Sequence, residues 1–503
     1  MQTLAVSLRD PESVFYAAVC CPVCRKAGHM SALVPDGGAS LRGIACDHAY
    51  PISEEIPILL EEAARIRGVG DSSGSRKTRD VEAEPALSVI IPALHEADNL
   101  RELLPGLVES MQRLQVSFEL LAITEPGDTG VAGVMTEYGG RVIEQTEPGY
   151  GGALLAGFER ASGEYILIMD ADLSHPPKFV EDMWAARGEA EVVIASRYTA
   201  GGSADMPGSR YFLSRVLNAF FSRGLGLKVR DMSSGYRLIR TDSLRGMSMR
   251  ARDFDIVQEI LVRAYAEGWR VREIPFSYAP RRHGSSHARV LKFGMAYLRT
   301  FWNLWKLRNS ILAADYDDRA HDSVIFLQRY WQRSRFRYVT ELIAGEGPVL
   351  DVGCGSSRII GALPSGSVAV DILLRKLRHA RRFGTTLVQA SGFNLPFRDE
   401  SFPCVLCSQV IEHVPKESPI LDELCRVLAP GGRLVLGTPD YETWEWPTLE
   451  KLYGFFAPGG YADEHISHYS LRELIETFER RGFVHEATRY ILHGELILAF
   501  RKP

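Results

Sequence analysis

Tyr165-Ile-Leu-Ile-Met169-Asp170-Ala171-Asp172-Leu-Ser-His-Pro-Pro177 is an apolar run that stops on two carboxylates. A short apolar run bounded by a charged, proline-bearing loop is the pattern of a buried parallel strand. Alternation at its end puts Asp170 and Asp172 on one side. Two carboxylates at the C-terminal edge of a parallel sheet suit a hard divalent cation shared with a diphosphate. Alone, Asp-x-Asp is a common acidic loop, and it gains meaning only from its neighbours.

Those neighbours come in order. Ser88-Val-Ile-Ile-Pro92-Ala-Leu-His-Glu96 is a first strand running into a helix start. Gly149-Tyr150-Gly151-Gly152 opens the helix before the acidic strand, where glycines admit a phosphate to the backbone and a helix N-terminus favours an anion. Ser196-Arg197-Tyr198, Asp231-Met-Ser-Ser-Gly235-Tyr236-Arg237 and Arg281-Arg-His-Gly284-Ser285-Ser follow. Together they resemble family 2 glycosyltransferases of the GT-A fold, most closely the dolichyl-phosphate mannosyltransferase branch, over about residues 86–310.

That resemblance implies that Asp170 and Asp172 bind Mg²⁺ or Mn²⁺. It implies that Pro92, Glu96, Glu125, Gly149, Gly151 and Ala171 line the nucleotide sugar, and that Arg197, Arg237 and Arg281 face phosphates. Three positions depart from the family pattern. Thr124-Glu125-Pro126-Gly127-Asp128 stands where an Asp-Asp-Gly-Ser run is usual, Pro148 replaces a basic residue and His287 replaces a lysine. The donor base and sugar are therefore open, with mannose or another hexose expected. A polyprenyl or dolichyl phosphate acceptor is already anionic, so one in-line, inverting displacement needs little general base. A sugar hydroxyl acceptor would need one, and Asp231 is then the candidate.

Residues 281–310 hold seven Lys/Arg and no Asp/Glu. On a helix, Arg289, Lys292, Arg299 and Lys306 form one stripe beside Phe293, Phe301, Trp302 and Trp305, which suits a bilayer interface next to a lipid acceptor. Arg281, Ser285 and Arg289 are the lipid-phosphate candidates. The plainer reading is a helix packed on its domain with its charges in water.

Val349-Leu-Asp351-Val-Gly353-Cys-Gly355 is a second strand and glycine turn, and Asp371 ends the strand after it. This is a nucleotide-binding arrangement, weak when alone. Asn394-Leu-Pro-Phe397, Cys407-Ser408-Gln409-Val-Ile-Glu412-His413 and Leu428-Ala-Pro-Gly-Gly432 follow, and the set resembles class I S-adenosylmethionine-dependent methyltransferases over about residues 330–500. The likeness implies that Asp351, Gly353 and Gly355 hold the methionine end, Asp371 the ribose, and that Ser408 and Gln409 sit near the transferred methyl. Ser357 replaces the third turn glycine, and Ser391 replaces an acidic partner of the adenine. His465 and His468 are candidates for a base on an acceptor hydroxyl, or merely order the loop before the Ser470 helix cap.

Cys21-Pro-Val-Cys24 has zinc-knuckle spacing, with Cys46 further on. The segment through Tyr50-Pro51-Ile52 and Ile56-Pro57-Ile58 resembles zinc-ribbon modules beside methyltransferases, but the second paired cysteine is Gly43. His48, His29 or Cys20 would complete a tetrahedral Zn²⁺ set, with Cys21, Cys24, Cys46 and His48 preferred. The alternative is a ribbon without metal.

A chain of 503 residues with 46% hydrophobic and 24% charged residues expects about three globular units. A net charge of −5 and a pI of about 6.3 give no reason for nucleic-acid binding. The start lacks a signal-peptide pattern, so the expected location is cytoplasmic, peripheral on the cytosolic membrane face, with thiols rather than disulfides. The expected fold is α/β, with these units: 1–66 zinc-ribbon-like β module, 67–84 linker, 85–310 GT-A domain, 311–345 helical connector and 346–503 Rossmann-like methyltransferase domain. The expected function is bifunctional: metal-dependent sugar transfer to a polyprenyl phosphate and methyl transfer to an unknown acceptor. Two rivals are a methyltransferase whose degenerate glycosyltransferase domain only binds nucleotide or membrane, and an assembly protein that recruits a partner through the cysteine module.

Overall fold

The computed structural model describes residues 13–37, 39–66, 85–278, 290–448 and 465–503. Two compact units divide the chain: Met1–Ser75 together with Asn309–Pro503, and Arg76–Arg308. The expected linker, residues 67–84, lies outside the described residues.

The N-terminal module is a small antiparallel sheet of β1 (Leu33–Asp36), β2 (Ser40–Gly43), β3 (His48–Ser53), β4 (Ile56–Pro57) and β5 (Arg65–Ile66). The central unit is built on β6 (Leu87–Pro92), β7 (Phe118–Thr124), β8 (Arg141–Glu144), β9 (Tyr165–Ile168), β10 (Val192–Ser196), β12 (Arg237–Arg240) and β13 (Val271–Pro275), with a side pair β11 (Ser203–Ala204) and β14 (Ser277–Tyr278). The seven strands run in the order β13-β10-β12-β9-β6-β7-β8. All are parallel except β12, which is antiparallel to both neighbours. The helix Ala97–Leu114 covers one face by burying Leu100, Leu103, Leu104, Leu107 and Met111, a helical period.

The other sheet holds β15 (Val349–Val352), β16 (Val368–Asp371), β17 (Thr386–Gln389), β18 (Phe402–Ser408), β19 (Leu428–Pro439), β20 (Val484–Ile491) and β21 (Glu495–Arg501). Its order is β17-β16-β15-β18-β19-β21-β20, with β21 antiparallel to both neighbours. In each large sheet the first strand stands between two strands reached by crossovers in opposite directions, so each has a switch point: β6/β9 in one and β15/β18 in the other.

The cysteine module is not a bead on a string. Phe15, Tyr50 and Leu59 share one core with Val368, Val388 and Phe397 of the larger sheet. Backbone bonds join them: the Cys20 N–H to Pro396 O at 2.9 Å, the Arg398 N–H to Ala18 O at 2.8 Å and the Leu59 N–H to Gln389 O at 2.8 Å. Residues 311–345, read from sequence as a connector, likewise pack into this unit. The helix Phe326–Ile343 buries Trp331, Val339, Leu342 and Ile343 against Val349, Leu406 and Ile497.

A cavity left by a buried aromatic costs both transfer energy and contacts. Phe15→Ala is therefore expected to remove about 3–5 kcal/mol from the composite unit, although Phe15 is over three hundred positions in sequence from the β-strands it supports. Urea denaturation of the full chain, followed by the fluorescence of the C-terminal tryptophans, reads this as an earlier midpoint.

Candidate functional sites

In the central unit Pro92 ends β6, while Glu125 and the Asp170–Asp172 turn come after β7 and β9; these three strands are adjacent, so the residues stand side by side on one sheet edge. Asp172 is buried and accepts from the Ser174 amide at 3.1 Å and its hydroxyl at 2.5 Å. Asp170 is partly open, with 34% of its side chain exposed. It accepts from the Tyr150 hydroxyl at 3.1 Å. The Asp170 amide donates to His175 Nδ1 at 2.9 Å, and His175 Nε2 lies 3.7 Å from the carboxylate. Burial pushes the His175 pKa down, so a neutral ring stacked on Tyr236 at 4.5 Å supports the acidic turn. Ala171 is buried in the core beneath it.

Three expectations change here. The amides of Gly151 and Gly152 are engaged within the protein rather than left open for a phosphate. They donate to the Arg252 carbonyl at 2.8 and 3.3 Å, and a Cβ on Gly151 would stand 2.5 Å from that residue's backbone. The glycines serve close packing of the 251–253 segment on the helix start. Arg237 does not face a diphosphate either. It is the first residue of the antiparallel strand β12, fully buried, and its guanidinium donates to the carbonyls of Ser234, Met232 and Val257. Burial pushes its pKa down to about 10, which leaves it a cation spent on backbone oxygens. Asp231 is fully buried, and both its oxygens accept from Arg197 at 2.7 Å. A carboxylate so paired is a poor general base, and the pair fixes the Arg197 guanidinium in place.

The Glu96 carboxylate accepts from the side-chain Nδ2 of Asn99 at the start of the helix. Glu125 is exposed and lines an open cavity with Asp128, Glu144 and Arg160. Asp128 was not singled out from sequence. It accepts from the Thr124 hydroxyl and the His95 amide, both at 3.1 Å, and so ties the ends of β6 and β7 together. Arg281, Ser285, His287 and Arg289 lie outside the described residues.

In the composite unit a cavity of about 560 Å³ opens at the β15/β18 switch point, lined by Asp351, Gly353, Asp371, Ser391, Gln409 and His413 among others. Gly353 and Gly355 both have positive φ, at 74° and 57°. A Cβ on Gly353 would meet Val410 at 2.2 Å, so glycine is required there. Asp371 accepts from the Gly355 amide and the Leu373 amide, each at 2.8 Å. Ser408 Oγ and Gln409 Nε2 are buried without a protein partner, and both residues line the cavity. Asp317, from the segment read as a connector, accepts from Ser356 and from Lys376 at 2.9 Å and so closes the glycine turn. No spacing in the sequence marks it.

Near the N-terminus Cys21, Cys24, Cys46 and His48 bring four ligand atoms within 4.8 Å of one another. The Cys21 and Cys24 sulfurs lie 3.6 and 3.8 Å from His48 Nδ1. Tetrahedral coordination with Zn–S of about 2.3 Å and Zn–N of about 2.0 Å sets such edges near 3.5 Å. A Cβ on Gly43 would stand 2.2 Å from Cys46 Sγ, so the sulfur of Cys46 occupies the space that a side chain at position 43 would need.

Residues 88–247 match the family model for glycosyl transferase family 2, and residues 350–436 match that for a methyltransferase domain. A dolichol-phosphate mannosyltransferase of Pyrococcus furiosus is 31% identical over 234 residues, 45% of this chain and 65% of that protein. A dolichol-phosphate mannosyltransferase of Mycosarcoma maydis is 29% identical over 268 residues, 50% of this chain and 89% of that one. The chain thus spans just under two thirds of the first relative's length. Among solved structures, a SAM-dependent methyltransferase of Thermotoga maritima, described as a possible histamine N-methyltransferase, is 24% identical, with a TM-score of 0.29 over 35% of this chain and 94% of that one.

Burial first, and Asp371 second, push the Asp351 pKa up to about 8. An unfolded aspartate titrates near ~3.9. The folded unit therefore holds one more proton between those values, and its stability falls as pH rises from about 4 through about 8. Asp351→Asn is expected to flatten that slope and to raise the melting temperature of the ligand-free protein at pH 8, as read by calorimetric scans across pH.

Proposed function

We propose that this chain, which carries a family 2 glycosyltransferase domain and a methyltransferase domain, is a bifunctional enzyme. One half transfers a hexose from a nucleotide sugar to a polyprenyl phosphate with a divalent cation, and the other transfers a methyl group from S-adenosylmethionine. The observation that carries the first half is the Asp170–Asp172 turn, partly open and braced by His175 and Tyr150 on the edge that also presents Pro92 and Glu125. Asp170 and Asp172 would hold Mg²⁺ or Mn²⁺, whose charge offsets that of the departing nucleoside diphosphate. Glu125 and the cavity beside it suit the base. The names of the two relatives support a phosphorylated lipid as acceptor.

An exposed apolar face supports a lipid surface as partner. Phe212, Leu213, Val216, Leu217 and Phe220 lie on one side of the helix Gly208–Gly224 and are 46–70% exposed. Phe220 stacks on Phe301 at 5.0 Å, which joins this face to exposed Leu298 and Trp302 on the helix Val290–Asn309. Arg215, Arg223, Arg299 and Lys306 are exposed on the same helices. Cations bordering an apolar face suit anionic headgroups. Among the described residues no helix is long and apolar enough to cross a membrane.

For the second half, Asp351 and the Gly353–Gly355 turn would hold the methionine end of the donor, Asp371 the ribose, and Ser408 and Gln409 the acceptor side. The two unpartnered polar atoms in the cavity support that reading. The bound donor supplies an electrophilic methyl on a sulfonium. The protein excludes water and orients the acceptor.

A second reading, a methyltransferase with a binding-only central domain, draws on the filled glycine turn and the buried Arg237. The two readings part in one assay. Full-length enzyme with prenyl phosphate in anionic vesicles, a panel of nucleotide sugars and Mg²⁺ or Mn²⁺ should form a glycolipid, and Asp170→Asn should cut the rate by at least about 10²-fold with S-adenosylmethionine affinity unchanged. Failure of every donor to react or be hydrolysed would sink the catalytic reading.

A structural Zn²⁺ on Cys21, Cys24, Cys46 and His48 belongs to the same proposal, supported by the sulfur–nitrogen distances given above. Elemental analysis of the purified chain should find one zinc per protein. Cys24→Ser should lose it and lower the melting temperature of the composite unit, because the ion pins the module that shares its core.

A further inference from the structure

A second ligand cluster stands beside the methyl-donor cavity. Glu412, His413 and His465 bring ligand atoms within 4.8 Å of one another. Glu412 and His413 belong to the short turn Ile411–His413 that follows β18. His465 is brought to them by the backbone: the Ile466 and Ser467 amides donate to the Glu412 carbonyl at 2.8 and 3.0 Å. His413 also lines the cavity, together with Ser408, Gln409 and Ile466.

Two features make this more than a chance meeting of side chains. Glu412 is completely buried, and although one oxygen accepts from the Thr438 hydroxyl at 3.2 Å, the other, Oε1, is buried with no protein partner. A carboxylate oxygen desolvated without a donor is costly unless something positive meets it. The ring of His465 is fixed from behind, with Nδ1 2.7 Å from the Tyr441 hydroxyl and the face stacked on Trp446, so Nε2 is the nitrogen turned away from Tyr441. A second hydrogen bond that sets the orientation of an imidazole is the usual support of a ligating histidine.

We propose that Glu412, His413 and His465 bind a divalent first-row cation at the acceptor end of the cavity, and that the methyl acceptor is a hydroxyl oxygen. Two imidazoles and one carboxylate suit Mn²⁺ and its neighbours and leave coordination positions open to a substrate. This rests on the reading of the cavity as a methyl-donor site. Amine and thiolate acceptors attack a sulfonium methyl without assistance, whereas a hydroxyl must lose its proton. A cation there lowers the pKa of an adjacent hydroxyl. The hydroxyl proton passes to water, the oxygen forms a bond to the methyl carbon, and the electron pair of the broken carbon–sulfur bond stays on sulfur as a neutral thioether. His465 is thereby a ligand rather than the general base its sequence position suggests. His468, stacked on Tyr441 at 3.9 Å, supports that tyrosine.

The test uses the full chain, zinc-loaded, with Asp170→Asn and Asp172→Asn together to silence the other cation site. Mn²⁺ titration by electron paramagnetic resonance, with S-adenosylmethionine present, should show one bound ion per chain. Adding His465→Asn should weaken that binding at least tenfold while the calorimetric affinity for S-adenosylmethionine stays within twofold, which also shows that the variant folds. Glu412→Gln should do the same, and His465→Asn keeps the test open if the buried Glu412 variant misfolds. No Mn²⁺ bound to a protein that binds S-adenosylmethionine, or Mn²⁺ binding indifferent to His465→Asn, overturns the proposal. Mn²⁺ bound and lost on His465→Asn, with no S-adenosylmethionine binding, upholds the cation site and overturns the reading of the cavity.

Discussion

A parallel sheet wound in both directions from its first strand has one place where no crossover covers the strand ends, and both large sheets of this chain are organised around that gap. In the central unit it lies between β6 and β9, and in the composite unit between β15 and β18. Each gap receives a carboxylate from the strand end beside it, Asp170 in one and Asp351 in the other. The two halves use the same topology for different ends. Asp170 is left partly open. Asp351 is buried within a cavity wall, where burial and the neighbouring Asp371 push its pKa up to about 8 and favour the protonated form.

What burial does to charge sorts the remaining ionisable residues. Arg237 is fully buried and compensated by three backbone carbonyls, so it stabilises the turn from Met232 to Ser234 instead of meeting a ligand. Asp231 and Arg197 are compensated by one another and fix the end of β10 against the loop before β12. Burial also pushes Glu412 up to about 8, with one oxygen left without a donor, and that incomplete compensation marks it out from the other two. Fully satisfied buried charges hold a fold together. Unsatisfied ones next to a cavity point to something that binds.

The composite unit shows that neighbours in sequence and neighbours in the core are different sets. The cysteine module is separated from the larger sheet by the whole central unit, yet Phe15, Tyr50 and Leu59 complete the apolar surface around β16 and β17. The helix Phe326–Ile343 covers the opposite flank. Asp317, just before that helix, reaches the glycine turn. Residues that look like appendages are therefore structural parts of the methyltransferase half, and within the module His48 stands beside Cys21 while the Cys46 sulfur fills the space next to Gly43.

The strands were legible from sequence because a buried parallel strand must be a short apolar run: Leu87–Pro92, Val349–Val352 and Val368–Asp371 have the bounds their composition predicts. The positions of Asp170, Asp172, Asp351 and Asp371 at or next to strand ends were legible too, because they follow from where the apolar runs stop. Side chains that act through distant partners were not. Arg237 reads as a phosphate ligand until β12 turns it into the core, and the Gly149–Gly152 turn reads as an anion cradle until the Arg252 carbonyl occupies it. The meeting of Glu412 with His465 depends on how the chain returns past Thr438 and Tyr441. Local pattern determines which residues form an element and which side of it they share, because those depend on backbone period alone. Which buried donor meets which acceptor is decided only when the elements close on one another, since desolvation and its compensation arise from residues far apart in the chain.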